Sequence, residues 1–478
     1  MKKVKLLILI LLSVVCCLSS GSSFAADVKI VGRQLYVNGK LFTVRGVNYG
    51  YTPVGGGYRT YDWTIHPENY KKDFVLIKAM GANTIRLHSI PADNAVLDAA
   101  YEAGLYVIIT ASVDWNKNFN DQSARDKVIT DFSVLVNRWK NHPALLMWLV
   151  GNEINFHTTS LSNWYSLVNE CARTAHEIEG ANFHPVTTAE ANITNLANPA
   201  NRSDDTNMPD LDLWATQVYM AATTGFRNMF GDYAARSAKP LIITEFGCDA
   251  FDSRPTELKE NQAAQAQTLG DELTIIDQNL SAVNPDNCCV GAAIFQWADD
   301  WSKNFAQNGY NNAVHDTSGD WEDDAYYDAN GGNNMNEEWW GLVAITPGTD
   351  DKTPRTAYYT VQSLWGPNTV GAASTARSLQ TEITNYPNPF KPGDMSTTIV
   401  FTVAPQSAVT VKIYDIMGNL VKVLLQSRAG DGFTEYKVKW DGLGYDSKAV
   451  ANGVYICYVE AAGPSGTDVK YRKILVLK

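Results

Sequence analysis

Between about residue 42 and residue 300, eight short apolar runs rich in β-branched residues alternate with amphipathic stretches. The runs lie at 44–50, 82–88, 106–112, 145–153, 185–191, 211–219, 240–247 and 290–299. They are continuously apolar instead of alternating apolar and polar, which is the pattern of strands buried on both faces. Such strands occur where helices cover both faces of a parallel sheet, so the sequence predicts an α/β fold.

The stretches between the runs have the end signals of helices. One helix is predicted to begin at Pro67, to place Tyr70, Phe74 and Ile77 on one stripe, and to stop at Gly81. Eight strand-and-helix units in about 250 residues predict a (β/α)8 TIM barrel. A doubly wound open sheet is the alternative, but its Gly-rich phosphate-binding turn does not follow the first run.

The segments around the barrel complete the predicted domain organisation. A hairpin that turns at Asn38-Gly39 precedes the first run, and we expect it to cover the bottom of the barrel. The predicted catalytic domain is 26–365, and the small, polar residues of 366–382 form a linker. In 383–478, short alternating runs split by turn signals predict a small all-β immunoglobulin-like sandwich.

Residues 1–25 have the pattern of a secretory signal peptide. Lys2, Lys3 and Lys5 precede an apolar core, and a small-residue cleavage site ends at Ala25. The core has about 13 residues, whereas a transmembrane helix needs roughly 20. The sequence therefore predicts export, with the mature protein secreted or held at the cell surface.

Charge and cysteine usage restrict the class of partner. The formal net charge is −12, which disfavours nucleic acid or an anionic membrane surface as the partner and is compatible with a neutral polymer. Five cysteines follow the signal segment in a spacing that matches neither a disulfide framework nor a zinc site. Buried or free thiols are favoured, and a bridge that involves Cys288-Cys289 is the alternative.

Two glutamates close two of the apolar runs. Glu153 follows Gly151-Asn152 at the end of the fourth run, and Glu245 follows Thr244 at the end of the seventh. The carboxyl ends of the strands carry the active site of a TIM barrel, so both carboxylates are expected on one rim. Hydrolysis of a glycosidic bond needs such a pair, because one group protonates the leaving oxygen while the other attacks the sugar.

The sequence also resembles a known family. The runs NHPALLMWLVGNE and PLIITEFG, together with LFTVRGVNY and ANTIRLH, resemble the catalytic TIM barrel of family 2 glycoside hydrolases and, more broadly, of the clan A retaining hydrolases. The resemblance covers about residues 40–365. It implies that Glu153 is the general acid/base and Glu245 the nucleophile of a double displacement that requires no cofactor or metal.

Five further residues at the strand ends are candidates for substrate binding. Arg86 and Tyr219 are expected to hold Glu245 in its ionised form, and Glu153 needs a pKa of roughly 6 to remain an acid. Asn152 is expected to bind the sugar 2-hydroxyl and His88 to contact a subsite. The resemblance implies that Trp297 is a stacking platform for a sugar. Each of these residues also has a purely structural alternative, such as an ion pair, a turn cap or core packing.

The C-terminal region carries a second resemblance. NYPNPFKPGD (385–394), IYDIMGNLVKVL (413–424) and ANGVYICYVE (451–460) resemble the flagellar-hook-cap-like immunoglobulin domain that sorts type IX exported proteins, over about residues 380–478. The resemblance implies that the outer-membrane secretion machinery is a partner. A sandwich that merely spaces or stabilises the enzyme is the alternative, and no convincing aromatic platform for polysaccharide is evident in it.

Together these patterns predict a secreted retaining β-glycoside hydrolase acting on a poly- or oligosaccharide. Family 2 usually places sandwich domains ahead of the barrel, and here the barrel follows the signal segment closely. An open cleft and endo-action on a β-glucan or β-mannan are therefore favoured. A transglycosylase with the same two glutamates is one alternative. A non-catalytic surface carbohydrate-binding protein is another, although the intact glutamate motifs speak against it.

Overall fold

The computed structural model describes 25–57, 60–252, 259–303, 313–315, 317, 321–322, 333–348, 350–366, 379, 383–393, 395–403, 406–415, 419–430, 434–445, 447–463 and 466–477. The predicted signal peptide and most of the predicted linker lie outside these residues. The chain divides into two compact units, 1–369 and 370–478. No helix within the described residues is long and apolar enough to cross a membrane.

A three-stranded antiparallel sheet comes first. Its strands are β1 (Val28–Val31), β2 (Gln34–Val37) and β3 (Lys40–Phe42). Asn38 and Gly39 join β2 to β3 with φ angles of 50° and 72°, as the predicted hairpin turn requires. The buried side chains of Leu35 and Val37 pack with residues near the beginnings of the barrel strands, so the sheet covers that end of the barrel.

Eight parallel strands form a closed barrel, in which each strand pairs with the next and the last pairs with the first. They are β4 (Val44–Tyr49), β5 (Thr84–Leu87), β6 (Tyr106–Ala111), β7 (Leu145–Asn152), β8 (Val186–Glu190), β9 (Trp214–Val218), β10 (Leu241–Phe246) and β11 (Cys289–Ile294). Seven strands lie within their apolar runs and β11 begins one residue before the eighth run, so the predicted (β/α)8 fold class is confirmed.

Helices connect the strands and cover the barrel. They are α1 (Pro67–Ala79), α2 (Ala95–Glu102), α3 (Gln122–Trp139), α4 (Ile154–His157), α5 (Leu161–Glu179), α6 (Thr224–Ala234), α7 (Gln262–Gln278) and α8 (Thr356–Trp365). The connection from β8 to β9 differs from the expected repeat, because it contains only the 3-10 turns Ile193–Asn195 and Pro199–Asn201. Its many Asn, Asp and Pro residues favour turns over a helix.

The second unit is all β. Its strands are β12 (Thr384–Tyr386), β13 (Thr397–Val403), β14 (Ala408–Tyr414), β15 (Leu420–Arg428), β16 (Thr434–Trp440), β17 (Gly453–Gly463) and β18 (Gly466–Val476). They form two antiparallel sheets in the orders β12-β13-β16 and β15-β14-β17-β18. Alternate residues of both sheets enclose one apolar core, as in the predicted sandwich. The five described cysteines of the two units are buried free thiols.

Candidate active site

The carboxyl ends of the barrel strands bring a group of polar side chains together. Asn48 is on β4, Arg86 on β5, Asn152 on β7, Gln217 on β9 and Glu245 on β10. Strand register aligns Asn48 with Arg86 and Gln217 with Glu245. Parallel strands end at the same rim, so residues far apart in the sequence become neighbours here.

Three donors hold the carboxylate of Glu245. Arg86 Nη1 and Gln217 Nε2 each donate to Oε1 at 2.6 Å, and the hydroxyl of Tyr219 donates to Oε2 at 2.6 Å. The Glu245 residue is 5% exposed and the Arg86 side chain is fully buried. Burial of an ion pair is costly because the charges have lost their water, and these three donors offset that cost for the Glu245 carboxylate. The arrangement fixes the orientation of Glu245.

Asn152 belongs to the same hydrogen-bonded group. Its side-chain oxygen accepts from Arg86 Nη2 at 2.5 Å and from Gln217 Nε2 at 2.7 Å. Both bonds use the carbonyl oxygen, so they leave the amide nitrogen of this partly exposed residue to act as a donor toward a ligand. This geometry is compatible with the expected bond to a sugar hydroxyl.

Asn48 links the first strand of the barrel to its last two strands. Its Nδ2 donates to the main-chain oxygens of Thr244 at 2.9 Å and of Ile294 at 3.2 Å. Its Oδ1 accepts from Arg86 Nη1 at 3.1 Å and pairs with His88 Nε2 at 2.9 Å. One buried amide thus fixes the direction of the guanidinium and of the imidazole.

His88 lies at the open side of the site. Its side chain is 33% exposed, and its Nε2 is 3.5 Å from Glu245 Oε1. Burial lowers the pKa of His88 well below its ordinary value, and the charges of Arg86 and Lys303 act in the same direction. The ring is therefore neutral at ordinary pH and donates from Nε2 to Asn48, so it can contact a ligand without adding charge.

Glu153 follows β7 in an unusual backbone conformation. Its φ is 55° and its ψ is 25°, and its N–H donates to the oxygen of Ala189 on β8 at 2.8 Å. The preceding Gly151 has a φ of 72°, and a Cβ there would lie 2.7 Å from a side-chain atom of Ile154 and 2.9 Å from Trp164. The left-handed conformations of Gly151 and Glu153 thus turn the chain sharply at the end of β7, where Glu153 reaches the rim.

The pKa of Glu153 is raised to about 7. Burial is the largest cause, and the negative charge of Glu245 is the next, while the charge of Arg86 opposes them. A carboxyl with this pKa retains its proton for much of the time at neutral pH. Glu153 therefore has a pKa suited to giving and taking a proton near neutral pH, and it lies on the same rim as Glu245, which is paired with Arg86.

The stacking role expected of Trp297 is wrong. Trp297 is fully buried, and its ring packs in the core at 6.3 Å from the ring of Tyr358. Strand β11 ends at Ile294, so Phe295 and not Trp297 is the aromatic residue at the strand end. The partly exposed ring of Phe295 lies 6.2 Å from that of His88 and 6.3 Å from that of Tyr219. Phe295 is thus the aromatic surface beside the glutamates.

The aromatic residues after β11 have mixed environments. The ring of His315 stacks between Trp301 at 4.1 Å and Trp339 at 3.7 Å, and this stack holds the segment together. Trp340 packs against the ring of Tyr219 at 4.9 Å and thus supports a residue that contacts Glu245. In the same segment, Tyr310, Tyr326 and Tyr327 lie outside the described residues, and only the backbone of Trp321 is described. Among the described residues, no group of three or more acidic, His or Cys side chains could hold a metal ion.

Sequence reasoning missed Asn48, Gln217 and Phe295. The first two were visible as single amides inside the apolar runs VRGVNYG and LDLWATQVY. A polar residue in a buried strand is costly unless it is hydrogen-bonded, so each amide was a usable signal. The choice of Phe295 over Trp297 depends on where β11 ends, and the continuous apolar run did not mark that point.

Comparisons with known proteins agree with this geometry. The family described as "Glycosyl hydrolases family 2, TIM barrel domain" matches residues 28–309. The chain is 34% identical to a β-galactosidase of Arthrobacter sp. (strain B7) over 135 residues, which are 26% of this chain and 13% of that protein. It is 27% identical to a β-glucuronidase of Chlorocebus aethiops over 242 residues, 47% of this chain and 34% of that protein. The chain thus spans about a third or less of the length of these relatives.

Solved structures show the same fold. A Bacteroides uniformis β-glucuronidase 2 covalently bound to cyclophellitol-6-carboxylate aziridine aligns with a TM-score of 0.54 at 15% identity, over 95% of this chain and 48% of that one. An FMN-binding β-glucuronidase from Facaelibacterium prausnitzii L2-6 aligns with a TM-score of 0.55 at 16% identity, over 95% and 59%. At these identities the likeness concerns the fold alone.

Proposed function

The chain belongs to family 2 of the glycosyl hydrolases, and we propose that it is a retaining β-glycoside hydrolase that cleaves O-glycosyl bonds of a poly- or oligosaccharide. The observation that carries the proposal is the contrast between the two rim carboxyls. Glu245 accepts hydrogen bonds from Arg86, Gln217 and Tyr219, whereas the pKa of Glu153 is raised to about 7. The relatives named β-galactosidase and β-glucuronidase support a β-configured substrate.

In the first step, Glu153 protonates the leaving oxygen while Glu245 attacks the anomeric carbon. Oε1 of Glu245 accepts from two donors on barrel strands, and among the described residues Oε2 accepts from the hydroxyl of Tyr219. A hydroxyl can rotate away at little cost, so we assign the attack to Oε2. The product of this step is a glycosyl ester on Glu245 and a free aglycone.

In the second step, the roles of the carboxyls follow from the change in charge. Once Glu245 is an ester, it no longer raises the pKa of Glu153, and Glu153 ionises more readily. The carboxylate of Glu153 then removes a proton from the incoming water, which attacks the anomeric carbon and releases Glu245. Net retention of configuration follows from two inversions.

For the substrate we propose a neutral polymer, a β-glucan or a β-mannan. Arg86, the cation in contact with Glu245, has no exposed surface and donates to Glu245 and Asn152, so it is not available to a substrate carboxylate. The net charge of −12 also disfavours a polyanionic substrate. We further propose export through residues 1–25 and sorting through the C-terminal domain, both supported by the sequence patterns.

Covalent labelling tests the catalytic proposal. A 2-deoxy-2-fluoro β-glycoside with an activated leaving group should label Glu245, as read by peptide mass spectrometry, and clean labelling of another residue would overturn the assignment. Glu153→Ala should slow natural substrates and be rescued by azide when the leaving group is activated. The absence of rescue would contradict the acid/base role.

A polysaccharide panel with product sizing tests substrate and mode together. Polymer shortening by internal cleavage of a β-glucan or β-mannan is the expected result. Products longer than the substrate at high acceptor concentration would favour the transglycosylase, which uses the same two glutamates. Binding of a glycan without turnover, even with activated substrates, would favour a carbohydrate-binding protein.

A further inference from the structure

An ion pair lies beside the catalytic rim without a role in the mechanism above. Lys303 Nζ is 2.6 Å from Glu337 Oε2, and each side chain is 25% exposed. Exposed ion pairs are usually weak, whereas this pair is three-quarters buried and has hydrogen-bond geometry. The two residues come from different segments of the chain, so the contact joins these segments.

Both segments are anchored to the barrel. Just before Lys303, the N–H of Trp301 donates to the oxygen of Thr52 at 3.1 Å, and the Ser302 hydroxyl donates to that of Thr52 at 3.0 Å. Thr52 follows the first barrel strand. Lys303 therefore follows a segment that is held against the β4 side of the rim.

Glu337 begins the 3-10 turn Glu337–Trp339. The N–H of Ala250, which follows the nucleophile strand, donates to the oxygen of Trp339 at 2.9 Å. Directly after the turn, Trp340 packs on the ring of Tyr219 at 4.9 Å. Glu337 is thus three residues from a side chain that supports the Glu245 site.

The charges of the pair act on the catalytic acid. Glu337 raises the pKa of Glu153 and Lys303 lowers it, and Lys303 also lowers the pKa of His88. Both ends of the pair are therefore close to the place where a sugar must lie between Glu153 and Glu245.

The two cations near the site, Arg86 and Lys303, each form an ion pair with a glutamate. Arg86 and Lys303 both lower the pKa of Glu153. Arg86 is buried and bonded to Glu245, and Lys303 is bonded to Glu337. A uronate sugar would have to displace Glu337 from Lys303 and bring a further negative charge beside Glu245 and Glu337. A neutral sugar meets neither cost.

We propose that Glu337 is a specificity-determining residue, which occupies Lys303 and so excludes uronates in favour of neutral β-glycosides. The proposal rests on the function proposed above and deepens it. Its consequence is that one substitution should make the site more accepting of acidic sugars, because Lys303 would lose the carboxylate that lies 2.6 Å from its Nζ.

The test compares two substrates that differ only at C6: 4-nitrophenyl β-D-glucoside and 4-nitrophenyl β-D-glucuronide. In the full chain, Glu337→Gln should raise the ratio of kcat/KM for the glucuronide to that for the glucoside by at least about tenfold, since a charge-assisted bond to Lys303 becomes available. The double variant Lys303→Met/Glu337→Gln should lose that gain. Glu177→Gln, the same substitution on the exposed surface of α5, is the control and should leave the ratio unchanged.

A binding measurement separates this inference from the proposed function. Calorimetry with glucuronate and with glucose should show the same change in the ratio of affinities for Glu337→Gln, whether or not the protein turns over either aryl glycoside. Failure of turnover with every neutral glycoside would overturn the proposed function alone. An unchanged ratio in folded Glu337→Gln, or an equal gain in the double variant, would overturn the role of Glu337.

Discussion

Replacing Tyr219 by Phe removes one hydrogen-bond donor from Glu245, the proposed nucleophile, and keeps the aromatic ring. The hydroxyl donates to Glu245 Oε2 at 2.6 Å, which is the length of a charge-assisted bond. The ring that remains still packs against Trp340 at 4.9 Å and Phe295 at 6.3 Å, so no cavity forms. The variant therefore isolates the contribution of one bond to the two chemical steps.

The two steps should respond differently, because Glu245 changes charge. In the proposed double displacement it is an anion before the attack, a neutral ester in the intermediate and a partial anion in both transition states. A bond to a charged acceptor is worth roughly 1.5–3 kcal/mol, so half a charge loses about 0.75–1.5 kcal/mol. Release of the ester, in which charge develops on Glu245, should slow by about 4- to 13-fold. Formation of the ester, in which charge is lost, should not slow.

The assay is pre-steady-state release of dinitrophenolate from an activated aryl β-glycoside that the wild type hydrolyses. For Tyr219→Phe we expect a burst equal to the enzyme concentration, a kcat lowered by about 4- to 13-fold, and a kcat/KM that does not fall. Tyr233→Phe is the matched control, since that buried hydroxyl donates to the oxygen of Lys239 and lies on α6. Equal losses in kcat and kcat/KM without a burst would refute the reasoning.

Three further predictions concern pH and packing. In the proposed mechanism Glu153 acts as an acid, and its pKa is about 7, so kcat/KM should fall about tenfold per pH unit above that value in a pH–rate profile. Burial raises the pKa of Glu190 to about 7, so the folded chain keeps a proton that the unfolded chain loses near pH 4.3. The free energy of unfolding should therefore fall as pH rises from about 4.3 to 7, by up to about 3 kcal/mol. Urea titrations of Glu190→Gln should show a flatter dependence on pH. Gly151→Ala, at a positive φ with contacts under 3 Å, should lower the free energy of unfolding by about 1–3 kcal/mol.

Each of these predictions has an outcome that contradicts it. A kcat/KM that stays constant to pH 9 would exclude Glu153 as the acid with this pKa. An unchanged pH dependence of stability in Glu190→Gln would assign the slope to other groups. For Gly151, the control is Gly231→Ala on α6, where a Cβ meets nothing within 4 Å and helix propensity should add about 0.5–1 kcal/mol; equal effects at both positions would remove the steric argument.

The barrel could be predicted from the sequence because its strands are buried on both faces. Runs such as PLIITEFG have no polar side to place toward water, and this restricts them to the centre of the fold. The positions of Arg86, Tyr219 and Glu245 on one rim then follow from parallel strand direction. The catalytic roles of the glutamates remain proposals, since they depend on chemistry that no strand pattern contains.

The parts that sequence did not predict depend on contacts between distant residues. Gln217 reaches Glu245 only because β9 and β10 pair in register, and the pairing has an irregularity just before that point. The segment 191–213 is rich in turn-forming residues, yet the regular alternation elsewhere suggested a helix. The sequence between Lys303 and Glu337 has no periodicity, so their 2.6 Å contact could not be predicted from it.

The amide of Asn48 has a consequence for the order in which the protein matures during synthesis. It bonds to Thr244 and Ile294, which lie 196 and 246 residues later, and it also orients Arg86. A nascent chain that has emerged only as far as Glu245 contains both glutamates but lacks the strand that closes the barrel against β4. Hydrolytic competence should therefore appear only after β11 has left the ribosome, and a chain released before that point should be inert toward sugars in the cell that makes it.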